Sequence, residues 1–181
     1  QVTDPLTLQL DFHRALSRLL ASFLSSHIAL ITSSKSILKQ QVEHYENFSM
    51  FLRLTVEILH HPSGRVCSAQ LNTWTALLRD PQLTQTRLLK PYIGEIVSCY
   101  MDQMVRIRWD DVENQTYPQT QLIEASFDDL EEYDAWMYDL RSRASLIFKF
   151  AGNTEPCVVS QMVSARVHSL LQRHSNGEPR N

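Results

Sequence analysis

Apolar residues recur along this chain at the three-and-four spacing of an α-helix, and the recurrence predicts about six helical stretches. The first, over residues 6–31, places Phe12, Leu16, Leu19, Leu20, Phe23 and Ile28 on one face. The second, over 36–60, carries Val42, Tyr45, Phe48, Phe51, Leu52, Thr55, Ile58 and Leu59. It is expected to stop at the turn His60-His61-Pro62-Ser63-Gly64, because the residue before a proline avoids the helical region and Gly64 permits a positive φ. A third helix, over 63–78, carries Val66, Leu71, Trp74, Leu77 and Leu78 and ends at Arg79-Asp80-Pro81. The fourth, over 83–105, stacks Leu88, Leu89, Tyr92, Ile93, Ile96, Val97, Tyr100, Met101 and Met104. Pro91 lies inside that pattern and predicts a kink or a break into two pieces.

Residues 109–125 show no apolar period and read as a long polar loop. Ser126 then reads as an N-cap, with Asp128 and Asp129 in the first turn, where the helix dipole favours anions. The fifth helix runs to about residue 151 through Leu130, Met137, Leu140, Ala144, Ile147 and Phe148, with Gly152 as its left-handed cap. Thr154 is expected to cap a sixth helix, over 155–173, built on Val159, Met162, Val163, Val167 and Leu170. Residues 175–181 form a polar tail.

Several of these helices carry more than one apolar stripe, and most connectors are short, which forces neighbours to run antiparallel. Helices with two apolar sides suit a stack of helix pairs better than a closed four-helix bundle. The expected fold is therefore all-α, a HEAT-like α-solenoid of antiparallel helix pairs. Residues 1–174 would form a single continuous piece of it. The low count of four Gly and seven Pro agrees, because few turn-formers mean few turns.

Charge narrows the function classes. A net charge of −3 argues against nucleic-acid binding by bulk charge alone, although a whole-chain sum conceals local patches. Cys67, Cys99 and Cys157 are widely spaced with no CxxC pair, and read as small core residues in a reducing compartment. No run approaches the ~18 apolar residues of a membrane span, so no membrane insertion is expected. The sequons at Asn47 and Asn114 read as chance matches without a secretory signal. The start at Gln1, without an initiator methionine, suggests an excerpt from a longer protein. No HExxH, P-loop, GxSxG or paired-cysteine site occurs, so neither catalysis nor a cofactor or metal is expected. His60 and His61 are adjacent, cannot ligate one metal from one helix face, and read as turn residues.

Two segments are more specific. The run Phe51-Leu52-Arg53-Leu54-Thr55-Val56-Glu57-Ile58-Leu59, its His-Pro-Ser turn, and the following helix ending in Trp74-Thr75-Ala76-Leu77-Leu78-Arg79-Asp80-Pro81 resemble the helix–turn–helix unit of exportin-type HEAT repeats. The acidic start Phe127-Asp128-Asp129-Leu130-Glu131-Glu132-Tyr133-Asp134-Ala135-Trp136, leading into Leu140-Arg141-Ser142-Arg143-Ala144, resembles the exportin-5 family of the importin-β superfamily. The resemblance covers most of the chain. It implies a longer nuclear export receptor that shuttles between nucleus and cytoplasm. Its implied partners are RanGTP, double-stranded RNA such as microRNA precursors, and nucleoporins. The alternatives are a superfamily receptor for protein cargo, or a helical-repeat scaffold unrelated to transport.

In the register set by the His-Pro-Ser turn, the first, third and fifth predicted helices line the concave face. Arg14, Arg18, Arg65, Arg79, Arg141, Arg143 and Lys149 are then the candidates for RNA-phosphate contact, since guanidinium forks suit phosphate oxygens. Asp128, Asp129, Glu131, Glu132 and Asp134 are the candidates for a basic patch on Ran, a use the superfamily resemblance implies. The local alternative for each set is a solvated face and dipole-favoured acids at a helix start.

Overall fold

A computed structural model describes residues 5–32, 42–105, 107–116 and 118–175. Those residues contain no strand and hold α1 (Pro5–Thr32), α2 (Val42–Leu59), α3 (Gly64–Ser68), α4 (Gln70–Arg79), α5 (Pro81–Gln85), α6 (Lys90–Gln103), α7 (Trp109–Glu113), α8 (Pro118–Glu124), α9 (Leu130–Thr154) and α10 (Pro156–Ser175). The expected start of the second helix, before residue 42, and nearly all of the polar tail lie outside the described residues.

Side-chain contacts fix the packing directions. Helices α1, α4 and α9 lie side by side, as do α2, α6 and α10. Within each layer the helices run parallel. Ser17 of α1 meets Gln70 at the start of α4, and Gly64 meets Trp136 in the second turn of α9. Tyr92 donates to Ser49 O early in α2 and Gln103 donates to Leu59 O at its end, so α2 and α6 share a direction. Between layers the direction reverses. His13 meets His61 while Phe23 meets Phe51, and Arg141 meets Met104 while Lys90 meets Glu155.

The core lies between the layers. Leu52, Val56 and Leu59 come from α2 and Leu71, Trp74 and Leu77 from α4. Ile93, Ile96, Val97 and Tyr100 come from α6, and Met137, Leu140, Ala144, Ile147 and Ala151 from α9. The α9 set repeats at three and four residues, the seam of a helix buried along one narrow stripe. Trp74 is fully buried and its ring lies 6.2 Å from that of Tyr92 on α6, so the indole joins the two layers.

Several expectations are corrected. The apolar face predicted for the first helix points largely outward: Phe12 is 65% exposed, Leu19 63% and Phe23 51%. Burial falls instead on Leu10, Ser17 and Leu24, which share a seven-residue spacing. Polar atoms hold that side: Ser17 Oγ donates to Val66 O at 2.7 Å, and Gln70 Nε2 donates to Ser17 O at 2.8 Å. Residues 109–125 are largely helical rather than a loop, in turns too short to show a 3.6-residue period. Asp110 and Asp111 sit in the first turn of α7, and Val112 and Thr120 are buried beneath α7 and α8.

Capping also differs. Asp129, not Ser126, caps α9, with its carboxylate accepting from Glu132 N at 2.8 Å. Ser126 is buried and its hydroxyl accepts from Arg14. Gly152 lies within α9, which runs on to Thr154, and the turn into α10 falls at Glu155 rather than on a left-handed glycine. The predicted fourth helix breaks between α5 and α6 at Arg87, whose φ is +60°, and Pro91 sits in the first turn of α6. A proline is tolerated there because first-turn N–H groups have no helical acceptor. Gly64 does not take a positive φ; it opens α3, and a Cβ on it would stand 2.5 Å from the Trp136 ring. Glycine is required there by close approach.

Candidate partner-binding face

All seven candidate basic residues lie on α1, α3, α4 and α9, the elements of one layer. Four of them are held internally. Arg14 pairs with Asp11 at 3.1 Å and donates to Ser126 Oγ at 2.9 Å. Arg65 pairs with Glu132, and its guanidinium carbon lies 4.3 Å from the centre of the Phe127 ring. Arg141 donates Nε and Nη2 to Met104 O, closing the C-terminal end of α6 from across the layer boundary. Arg143 pairs with Asp139 one turn before it. Arg18, Arg79 and Lys149 are exposed and have no ion-pair partner among the described residues.

The acidic candidates gather at the start of α9. Asp128, Asp129, Glu131 and Asp134 are exposed, whereas Glu132 is partly covered. Asp129 and Glu132 cap the helix start from both sides: Asp129 accepts from Glu132 N, and Glu132 Oε2 reaches back past the N-cap to accept from Asp128 N at 2.9 Å. That backbone bond, followed by the Arg65 guanidinium, holds the Glu132 carboxyl below the usual glutamate range. The two candidate sets therefore meet. Arg14, Arg65, Asp128, Asp129 and Glu132 share one end of the layer, while Arg79 and Lys149 lie on the C-terminal halves of the adjacent helices α4 and α9.

Histidines at the His-Pro-Ser turn were legible only as turn residues. His61 Nδ1 accepts from Ser63 N at 3.0 Å, so Nε2 carries the proton and donates to His13 Nδ1, also at 3.0 Å. Burial first, and His13 second, push the His61 pKa below its ordinary value of 6.5. A histidine whose folded pKa is depressed contributes stability above the unfolded pKa and loses it as pH falls through the folded one. The melting temperature should accordingly hold above pH 6.5 and decline below it. Replacing His13 with Ala should narrow that decline, as read by melting curves taken from pH 8 down to pH 5.

His60 approaches Glu95 at 2.5 Å and Cys99 Sγ at 3.6 Å, which brings a thiol, an imidazole and a carboxylate together. The sulfur lies 3.6 and 3.9 Å from the two ring nitrogens, so it aligns with neither. Burial, then Glu95 and Asp102, push the Cys99 thiol up to about 11. Burial and Cys99 push Cys67 up to about 12. The nucleophilic thiolate is thus withheld at both positions. Among the described residues, no cluster of three His, Cys, Asp or Glu is placed to hold a metal ion, and no helix is long and apolar enough to cross a membrane.

Residues 7–178 match the protein-family model described as the Exportin-5 family. No curated protein and no solved structure matches the chain.

Proposed function

Because the chain belongs to the exportin-5 family, whose members are nuclear transport receptors, we propose that it is an α-solenoid segment of a receptor that binds RanGTP and exports double-stranded RNA such as microRNA precursors. The family match along nearly the whole chain carries the proposal. The parallel-within-layer, antiparallel-between-layer arrangement supports the solenoid part of it, with residues 1–174 as one continuous stack. The mechanism is conformational. RanGTP and cargo favour the same curvature of the solenoid, so each raises affinity for the other, and hydrolysis on Ran releases both. Shuttling between nucleus and cytoplasm, with nucleoporin contacts on the way, completes the cycle.

Within this segment, exposed Arg18, Arg79 and Lys149 are the RNA-phosphate contacts, and the acidic start of α9 is the Ran contact. Salt dependence tests the first assignment. RNA-hairpin binding by the full-length parent with RanGTP should weaken with salt, with a log–log slope near −0.9 per phosphate contacted. Replacing Arg18, Arg79 and Lys149 with Gln should shallow that slope by about 0.9 for each lost contact. An unchanged slope would remove this segment from the RNA interface.

One observation favours a second reading, a receptor for protein cargo. Arg14, Arg65, Arg141 and Arg143 all have partners within the chain, so fewer unpaired cations face outward than the composition suggests. Absence of any hairpin binding in the presence of RanGTP would overturn the RNA reading.

A further inference from the structure

Hydrogen bonds, more than apolar packing, hold the N-terminal half of α1 to the rest of the fold. The contiguous apolar core takes in Leu24 of α1 and, at its edge, Ile28, but leaves out Leu10. Between residues 12 and 19 only Ser17 is buried. Four polar contacts join this stretch to its neighbours. His61 Nε2 donates to His13 Nδ1 at 3.0 Å, and Arg14 donates to Ser126 Oγ at 2.9 Å. Ser17 Oγ donates to Val66 O at 2.7 Å, and Gln70 Nε2 donates to Ser17 O at 2.8 Å. By contrast, α9 buries Met137, Leu140, Ala144, Ile147 and Ala151 along its length. An element with few buried apolar contacts opens at a lower free energy than such a core helix.

One of these four contacts takes up protons. The Ser63 N–H donates to His61 Nδ1, so that ring is neutral with its proton on Nε2, which it gives to His13 Nδ1. Both acceptor nitrogens must be bare for the chain Ser63–His61–His13 to exist. A proton on His61 Nδ1 would oppose the Ser63 N–H, and one on His13 Nδ1 would oppose the His61 N–H. Among the described residues, the charges around the pair are engaged elsewhere. Asp11 and Arg14 of α1 pair with each other, and Arg65 of α3 pairs with Glu132. On α6, Glu95 faces His60 and Asp102 faces Arg166. The Cys99 thiol and the Tyr133 phenol stand on the far side of the turn, the thiol pushed up to about 11. Glu57 lines the groove beside His13, His60 and His61, but it is exposed, and solvent screens it. Burial, then His13, disfavours the charged form of His61.

We propose that the Ser63–His61–His13 chain is an acid-sensitive latch, whose protonation parts the N-terminal half of α1 from the His-Pro-Ser turn and α3 while the core between the layers stays closed. The latch is shut at neutral pH and opens as pH falls below the ordinary histidine value of 6.5 toward the lower folded one. Within that window each proton taken up on opening multiplies the open fraction by up to about ten per pH unit. The acid loss of stability therefore begins at α1 rather than in the core. Because α1 carries Arg18 and the outward Phe12 and Leu19, opening shifts all three relative to α4 and α9. The latch rests on contacts within the chain and does not depend on the transport reading.

Hydrogen–deuterium exchange of the full-length parent tests the latch, at about pH 7.5 and about pH 5.5, with rates corrected for the intrinsic pH dependence of amide exchange. Peptides over residues 10–20 and 61–68 should lose protection about tenfold at the lower pH, while those over 137–147 of α9 keep theirs. His13→Asn sets an amide oxygen where the Nδ1 acceptor stood and cannot titrate, so it should keep protection at the higher pH and reduce the acid loss. His61→Phe removes the latch and should leave both segments equally exchangeable at the two pH values. Unchanged protection of both segments in acid would overturn the proposal. So would a loss confined to 61–68, which would mean that the turn titrates without moving α1. A simultaneous loss over 137–147, or an acid loss undiminished in His13→Asn or in folded His61→Phe, would overturn it as well.

Discussion

Replacing Trp74 with Ala should destabilise the protein by about 3–5 kcal/mol, the range for truncating a large buried aromatic. Trp74 is 0% exposed and sits on α4 with its ring 6.2 Å from Tyr92 of α6, whose own hydroxyl reaches Ser49 O on α2. Removing the indole leaves a cavity where three helices from both layers meet, and rigid helices cannot close it. For a chain of this size, each kcal/mol lowers the melting temperature by about 2–4 °C. The fall should therefore be roughly 10 °C in a thermal melt. Trp74→Phe should cost much less. The indole N–H has no internal partner, so phenylalanine keeps most of the apolar contact while deleting an unmet donor. A Phe variant as unstable as the Ala variant would show that the indole N–H, rather than ring volume, holds this junction.

The second large effect concerns the outward stripe on α1. Leu8, Phe12, Leu16, Leu19 and Phe23 fall on one side of that helix and are all exposed, although α1 packs α4 and α2 on its other sides. At the far side of the fold, Val163, Val167, Leu170 and Leu171 of α10 are exposed as well. Contiguous apolar surface of this kind marks an interface, and a solenoid offers one: further helix pairs stacked on either end. Placing Glu at both Phe12 and Leu19 should change the stability of the isolated chain by no more than about 0.5 kcal/mol, as exposed substitutions do. It should also suppress self-association in sedimentation velocity. In the full-length parent, where the stripe would be covered, the same pair should cost several kcal/mol, because buried unpaired carboxylates are strongly unfavourable. A parent as stable as wild type would mean that nothing covers α1.

Local rules reached much of this fold. The boundaries at Pro62 and Asp80 follow from proline geometry and capping, and the α9 seam follows from the spacing of Met137, Leu140, Ala144 and Ile147, whereas the boundary before α10 falls at Glu155 and not at Gly152. What local rules missed was decided by partners distant in the chain. The outward turn of Phe12 and Leu19 follows from the bonds of Ser17 to Val66 and Gln70, and a periodicity count gives serine no weight. The need for Gly64 arises from Trp136, and Ser126 lost its capping role to burial against Arg14.

The candidate face divides in the same way. The acidic start of α9 was legible because carboxylates gather where the helix dipole favours anions, although the cap itself is Asp129 and not Ser126. The engagement of Arg65 was not, since Glu132 stands 67 residues away and only the packing of α3 on α9 joins them.

The transport reading rests on coupling between Ran and cargo, and equilibrium binding of Ran to the full-length parent tests that most directly. Ran loaded with GTP and with GDP should be titrated against the parent, each with and without a short RNA hairpin. The expected result is preference for the GTP form, strengthened by the hairpin about 5- to 150-fold, the usual span of allosteric coupling. Equal binding of the two nucleotide forms, unmoved by RNA, would contradict the transport reading and leave a helical scaffold without an assigned role.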